Sequence, residues 1–261
     1  MKKVAVITPV FNGETYLKNC LESVALSNTD SFFELEHIVV DDCSTDNSWN
    51  IIQESKLDNL RAIRLEKNQG SSNARNVAIQ QTDADFIFCL DQDDVIFQNS
   101  LKSLYVHAHK QNTDWVYGDF LRTDETLSYR MGDDYYGSQF DSASNLLTSI
   151  FLGEHFFQQN SFYTKSLFES VGGFAKEIAV YQDLDLCIRF AIKGHRPTYL
   201  SGPLYIHRLH ETNVSKVSGR ENNLDAHKED LKTIYRQYGD SLRSILDSTQ
   251  LKIVEDFLKS S

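Results

Sequence analysis

The chain has 261 residues and a mass of 29.9 kDa, enough for one large domain or two small ones. Its 41% hydrophobic and 24% charged content is ordinary for a folded protein and excludes wholesale disorder. A net charge of −11 argues against global attraction to nucleic acid or anionic lipid, and the longest apolar runs, such as Phe86 to Leu90, are far too short to span a bilayer.

The opening MKKVAVITPVFNG begins like a secretory signal. Its apolar run stops at Pro9 with no small-residue cleavage site, so it reads as the first strand of a cytosolic protein. Val4 to Thr8 is that strand, and Asn12-Gly13 ends it. Tyr16, Leu17, Cys20, Leu21 and Val24 recur at helical spacing, which predicts a helix over about 14–26. Leu35 to Val40 is a second strand running into Asp41-Asp42. Ser44-Thr45-Asp46 is a turn and cap, and Trp49, Ile51 and Ile52 begin the next helix. Leu60 to Leu65 is a third strand, Ser71 to Gln81 a helix, and Asp85 to Leu90 a fourth strand ending in Asp91-Gln92-Asp93-Asp94. A helix over Leu101 to His109 and a strand over Trp115 to Phe120 follow.

This alternation predicts an α/β fold: an open, mainly parallel twisted sheet with helices on both faces. Ligands of such sheets sit beyond the carboxyl ends of the strands. The polar clusters fall at those ends: Thr8 to Asn12, Asp41-Asp42, Asn68 to Arg75, and Asp91 to Asp94. Four loops are therefore expected to converge on one rim.

From 121 to 155 the pattern loosens, with a polar, aromatic stretch over 133–137, as in a lid or an irregular loop. A strand near 157–163, a helix near 165–171, Gly172-Gly173 and a helix from Asp183 to Gly194 follow. Residues 221–261 read as mostly helical. Cys20, Cys43, Cys89 and Cys187 are scattered, without a CxxC pair, so they suggest small core residues rather than a zinc cluster or a disulfide framework.

Carboxylates closing a buried strand repel one another. A divalent cation offsets this, and oxygen ligands on a short Asp-x-Asp suit Mg²⁺ or Mn²⁺ bridging a diphosphate. The alternative for Asp91 to Asp94 is a solvated acidic turn. Asp41-Asp42 has two readings, a nucleobase or ribose contact and an Asx turn. Arg75 in the first turn of its helix makes an anion site. Asp183 and Asp185 open a helix. They either complement its macrodipole or supply a general base. His207 and His210 are metal-ligand candidates that equally satisfy local hydrogen bonds.

Taken together, these motifs resemble the family-2 glycosyltransferases, the inverting enzymes of the GT-A fold, over roughly residues 1–215. The match comprises TPVFNGETYLKNCLESV, IVVDDCSTDNS, NQGSSNARNVAI, FCLDQDDV, GGFAKEIAVYQDLDLCIRFA and HRLHETNVS, in the expected order. The resemblance implies a GT-A-like nucleotide-binding half over 1–120, an acceptor-binding and catalytic half over 121–220, and a helical extension over 221–261. It implies that Thr8, Pro9, Asp41, Asp42, Arg75 and Asp91 hold the nucleotide-sugar donor. Asp91, Asp93 and His210 are implied to hold Mn²⁺ or Mg²⁺, and Asp183 to be the catalytic base. Gln182 stands where the family's motif has Glu, which keeps Asp185 as a second candidate base.

The implied reaction is transfer of a sugar, from a UDP-sugar first of all, to a hydroxyl of a glycan or lipid-linked acceptor with inversion. The alternative is a non-catalytic sugar-nucleotide or glycan-binding homologue. A nucleotidyltransferase is disfavoured by the first loop, which has one Gly and no basic residue. Dinucleotide and P-loop enzymes are disfavoured by the absence of GxGxxG and GxxxxGK. Tyr135, Tyr136, Phe156 and Phe157 either stack on sugar rings or fill the core. Leu242, Ile245, Leu246, Ile253, Val254, Phe257 and Leu258 form one helical stripe. Packing on the main domain is the first reading of that stripe. A homodimer contact or a peripheral contact at the inner membrane face are the alternatives, and no nucleic-acid partner is expected.

Overall fold

The structure is a computed structural model of the 261-residue chain, and it describes residues 1–260 apart from 28, 30, 133, 156, 158–160, 177, 179 and 219–223. In chain order the elements are β1 (Lys3–Val10), α1 (Leu17–Ala25), β2 (Glu34–Asp41), α2 (Ser48–Glu54), β3 (Leu60–Arg64), α3 (Ser71–Gln80), β4 (Phe86–Cys89), β5 (Val95–Ile96) and α4 (Ser100–Gln111). Then come β6 (Trp115–Thr123), α5 (Ala143–Phe151), β7 (Ser161–Thr164), α6 (Lys165–Ser170), α7 (Gln182–Ile192), β8 (Thr198–Arg208), α8 (Val214–Val217), α9 (Leu224–Ile245) and α10 (Ser248–Lys259).

The strands form one sheet in the order β3-β2-β1-β4-β7-β6-β8-β5. β3, β2, β1 and β4 are parallel neighbours, and β6 pairs in parallel with β8. β7 runs antiparallel between β4 and β6, and β5 runs antiparallel against β8. Most strands thus share one direction, as the βα alternation predicts.

Alternation along β1 explains why both faces are covered. Ala5 and Ile7 point into a core built with α3, α5, α7, α9 and α10, while Val4 and Val6 point into a second core under α1 and α4. Leu17, Cys20, Leu21 and Val24 bury one stripe of α1 at the spacing read from the sequence. β6 crosses residue 120, and β7 and β8 extend the sheet begun by β1 to β4, so the two expected halves share one sheet.

Three elements differ from the sequence reading. α5 lies in the stretch read as irregular: Leu146, Leu147, Ile150 and Phe151 bury its apolar face, and Ser142 caps it by accepting the Asn145 amide. Before it, backbone bridges Phe120 to Tyr135 and Thr123 to Arg130 make a hairpin arm over 120–135. β5 is only two residues long, too short to show a period.

The C-terminal stripe is used within the chain. Leu242, Leu246, Val254 and Leu258 are buried in the first core, with Ile245 and Phe257 partly buried against it, and Ile253 faces solvent. Asp247 and Gln250 close a capping box at the start of α10. Because Leu242 is fully buried, Leu242→Ala is expected to cost about 2–5 kcal/mol through lost burial and a cavity. A lowered urea midpoint at constant slope checks this; an unchanged midpoint would show that the helix is dispensable. Among the described residues, no helix is long and apolar enough to cross a membrane.

Candidate active site

The site forms where the predicted loops converge. Asn12 and Ser44 tie the loop after β1 to the loop after β2: the Asn12 amide donates to Ser44 Oγ at 3.0 Å, and Asn12 Oδ1 accepts the Thr45 amide at 2.9 Å. Gln92 ties the first loop to the loop after β4, accepting the Phe11 amide at 2.9 Å and donating to the Phe11 carbonyl at 3.1 Å. Asp42 accepts the Gln69 amide at 2.8 Å and the Gly70 amide at 2.7 Å, fixing the loop that enters α3. Gly70 has φ +85°, a left-handed conformation that suits glycine at this turn.

Arg75, on α3, is buried at the centre of the rim. Its Nη2 lies 2.5 Å from Asp91 Oδ1 and its Nη1 lies 2.8 Å from Gln182 Oε1. The same Nη1 is 3.9 Å from Asp183 Oδ1, and the guanidinium carbon is 5.3 Å from the Phe174 ring centre. Burial opposes the Arg75 charge, but the Asp91 and Asp183 carboxylates outweigh it, so its pKa is raised and it stays protonated.

Asp183 sits in the first turn of α7 with 23% of its side chain exposed. Burial raises its pKa above the ordinary carboxylate value; Arg75 opposes the rise and Asp91 adds to it. A carboxylate so placed is a stronger base than a solvated one. Asp185 is different. It is fully buried, bound to Arg189 Nη2 at 2.7 Å and Nε at 2.9 Å, and accepts the Tyr238 hydroxyl at 2.6 Å. Its carboxylate clamps α7 to α9, which leaves Asp183 at the rim.

On the other side of the rim, His210 Nε2 lies 2.9 Å from Asp93 Oδ2. Asn213 Oδ1 accepts the His210 amide at 2.6 Å, Thr212 Oγ1 lies 2.9 Å from His210 Nδ1, and the Tyr16 ring packs 4.6 Å from the imidazole. The contact of Asp93 with His210 is a direct hydrogen bond; neighbouring ligands of an octahedral cation are also about 3 Å apart, so the separation does not oppose Asp93 and His210 as two ligands of such an ion. Asp91 is instead paired with Arg75. Among the described residues, no group of three or more His, Cys, Asp and Glu side chains forms a closed metal cage.

Beneath this pair, Arg208 donates to the Asp93 carbonyl at 2.7 Å and the Glu125 carbonyl at 2.7 Å, and its guanidinium carbon lies 4.7 Å from the Tyr16 ring centre. Asp94 is fully buried, accepts the Arg208 amide at 2.9 Å and faces His207 Nδ1 at 3.4 Å. Burial pushes the Asp94 carboxyl up to about 6. His207 is raised by Asp94 against its own burial. His207 therefore belongs to the support of the acidic loop.

Three expected donor contacts, Thr8, Pro9 and Asp41, are buried. Thr8 is fully buried, and its hydroxyl lies 2.9 Å from His37 Nε2 inside the sheet, so it has no surface to offer a nucleotide. Asp41 is also fully buried, accepting the Ser44 amide at 3.3 Å and lying 3.1 Å from Arg64 Nε. A strand end places both near the rim, but their side chains turn inward. Pro9 is likewise buried, and Asp42 acts through the Gln69 and Gly70 amides. Of the four aromatic stacking candidates, Phe157 is buried in the core, Tyr135 is stacked on Phe120, and Tyr136 is exposed. Phe156 lies outside the described residues. Residues missed by sequence reasoning are Arg208, Tyr16 and Asn213. HRLHETN held the first and last as a signal, because arginine and asparagine flank the candidate histidine.

Comparison with known proteins agrees with this architecture. The profile of "Glycosyl transferase family 2" matches residues 5–175, and the chain belongs to that family. It is 27% identical over 231 residues to the glycosyltransferase GlyA of Streptococcus pneumoniae serotype 4, covering 82% of this chain and 32% of GlyA. It is 35% identical over 123 residues to the poly(ribitol-phosphate) beta-N-acetylglucosaminyltransferase TarP of Staphylococcus aureus, covering 46% of this chain and 37% of TarP. The chain thus spans well under half the length of these two relatives. The crystal structure of S. aureus TarS residues 1–349 in complex with UDP-GlcNAc shares the fold, with a TM-score of 0.74 at 22% identity, covering 99% of this chain and 72% of that one.

Proposed function

We propose that this chain transfers a sugar from a nucleotide-diphosphate donor, UDP-linked and of the N-acetylhexosamine type, to a hydroxyl of a glycan or lipid-linked acceptor, with inversion at the anomeric carbon. The observation that carries the reading is two sets of contacts on one loop: Arg75 on Asp91 with Asp183 beside it, and Asp93 on His210 two residues further along. A half-buried base and an anion-binding group therefore share one rim. The TarS complexes with UDP and UDP-GlcNAc and the activity in the name of TarP support the choice of donor.

In this reading Asp183 takes the proton of the acceptor hydroxyl as the oxygen attacks the anomeric carbon from the face opposite the diphosphate. Arg75 meets the charge that develops on the departing diphosphate. Asp93 and His210 hold a Mn²⁺ or Mg²⁺ ion, which supplies further charge stabilisation when bound. Tyr129 on the hairpin arm and Tyr136 just after it are exposed, and in this reading they are available to an acceptor. The reaction is cytoplasmic, at the inner membrane face where the acceptor is lipid-linked. Gln182 keeps Arg75 held by a direct contact in place of the family's Glu.

Thermal denaturation with UDP, GDP, CDP, TDP and ADP, with and without Mn²⁺, tests the donor site. UDP at a hundredfold over its Kd contributes about 2.7 kcal/mol, a rise in Tm of roughly 5–10 °C for a chain of this size. The rise is expected only with Mn²⁺ and is lost in Asp93→Ala. No stabilisation by any nucleotide at millimolar concentration would overturn the reading.

A further inference from the structure

Arg75 is bound to Asp91 and stands beside Asp183, and one neutral side chain occupies the guanidinium nitrogen nearest Asp183. Its Nη2 is committed to Asp91 at 2.5 Å, and the Phe174 ring lies against the guanidinium. Its Nη1 has two acceptors within reach: Gln182 Oε1 at 2.8 Å and Asp183 Oδ1 at 3.9 Å. The nearer is a hydrogen bond and the farther is not. Arg75 can only donate, so the amide oxygen of Gln182, not its nitrogen, must face it. Ser71 Oγ donates to the same oxygen at 2.9 Å and holds it there.

We infer that Gln182 is a positioning residue: its amide oxygen captures the Arg75 Nη1 that would otherwise close onto Asp183, and so keeps the base out of a direct ion pair. This rests on the reading of Asp183 as the base. An arginine closing to hydrogen-bond distance typically lowers a carboxylate pKa by about 1–3 units, which would leave a poor proton acceptor. A glutamate at 182 would also hold Arg75, but it would place a second negative charge next to Asp183.

The groups facing Asp183 keep this balance simple. Arg75 comes from α3 and Asp91 from the loop after β4. Cys89 on β4, Tyr163 on β7, Cys187 on α7 and Tyr205 on β8 also face it. Burial raises all four, Cys89 to about 12, so they stay neutral at ordinary pH. Among the described residues, Arg75 and Asp91 are thus the charged neighbours that weigh on how readily Asp183 gives up its proton.

The test is a ¹³C carboxyl NMR titration of Asp183 in the metal-free, nucleotide-free protein, the signal being assigned by its loss in Asp183→Asn. It is paired with the pH dependence of UDP-sugar turnover. Gln182→Met keeps the size and removes the acceptor. Its Asp183 midpoint is expected to fall by about one pH unit or more, and the acid limb of kcat falls with it while the plateau drops. Gln182→Glu is expected to move both upward. Ser71→Ala, which loosens Gln182 without touching Arg75, moves them in the same direction as Gln182→Met but less. A midpoint that stays put or rises in a folded Gln182→Met protein overturns the inference, as does turnover lost with no movement of the limb. If the midpoints move as stated while the wild type transfers no sugar, the role of Gln182 stands and the transferase reading falls.

Discussion

Asp183→Asn is expected to lower sugar transfer by about 10²–10⁴-fold, the usual range for removing a general base, while UDP affinity stays within about twofold. Asparagine keeps the shape at the head of α7 but cannot take a proton. Its nearest charged neighbour, Arg75, is 3.9 Å away and is already held by Asp91 and Gln182, so the donor side loses no direct bond. Asp185 cannot substitute, because Arg189 and Tyr238 occupy its buried carboxylate. Release of UDP during turnover and calorimetric titration with UDP measure the two quantities separately. Parallel loss of both would make Asp183 a donor-binding or structural residue, and near-normal turnover would remove it from the mechanism.

Arg208→Met should lower stability and the response to UDP together. The buried guanidinium satisfies the carbonyls of Asp93 and Glu125 and packs on Tyr16. Methionine restores the volume but removes the donor from both carbonyls, which costs about 1–3 kcal/mol at the partly buried Asp93 and less at the exposed Glu125, where water can replace it. A total near 2 kcal/mol corresponds to a fall in Tm of about 4–8 °C. Tyr16 also packs on His210, and Asp93 is a direct partner of His210, so the same substitution should abolish the Mn²⁺-dependent stabilisation by UDP. Arg208→Lys keeps one donor and should recover part of the stability. A Tm within a degree or two of wild type in Arg208→Met would show that water replaces the guanidinium.

Much of this architecture is legible in the sequence. β1, β2 and β4 are short apolar runs ended by polar loops, so burial on both faces and the common rim follow directly. α5 escapes because its first turn, Ala-Ser-Asn, carries no apolar signal and follows a stretch of tyrosines and glycines. β8 is legible only near its end, because Gly202 and Pro203 interrupt its alternation where the pairing with β6 shifts register. At the site, Arg75 lies between Asp91 and Asp183, and Asp93 meets His210, as two groups on the rim that the motifs mark. Thr8 and Asp41 do not join them, because a position at a strand end does not tell which way the side chain turns. Arg208 acts on Asp93 and Tyr16 on His210, partners far away in the chain, and sequence spacing does not reveal such pairings.

The placement of β7 has a consequence for how the chain is made. β4 ends at Cys89, yet its neighbour on one side is a strand that begins at Ser161. During synthesis, the edge of β4 has no partner until roughly seventy further residues have left the ribosome, because non-local pairing must wait for the distant segment. The apolar strand Phe86–Cys89 is therefore the segment that a nascent or truncated chain would offer to other chains.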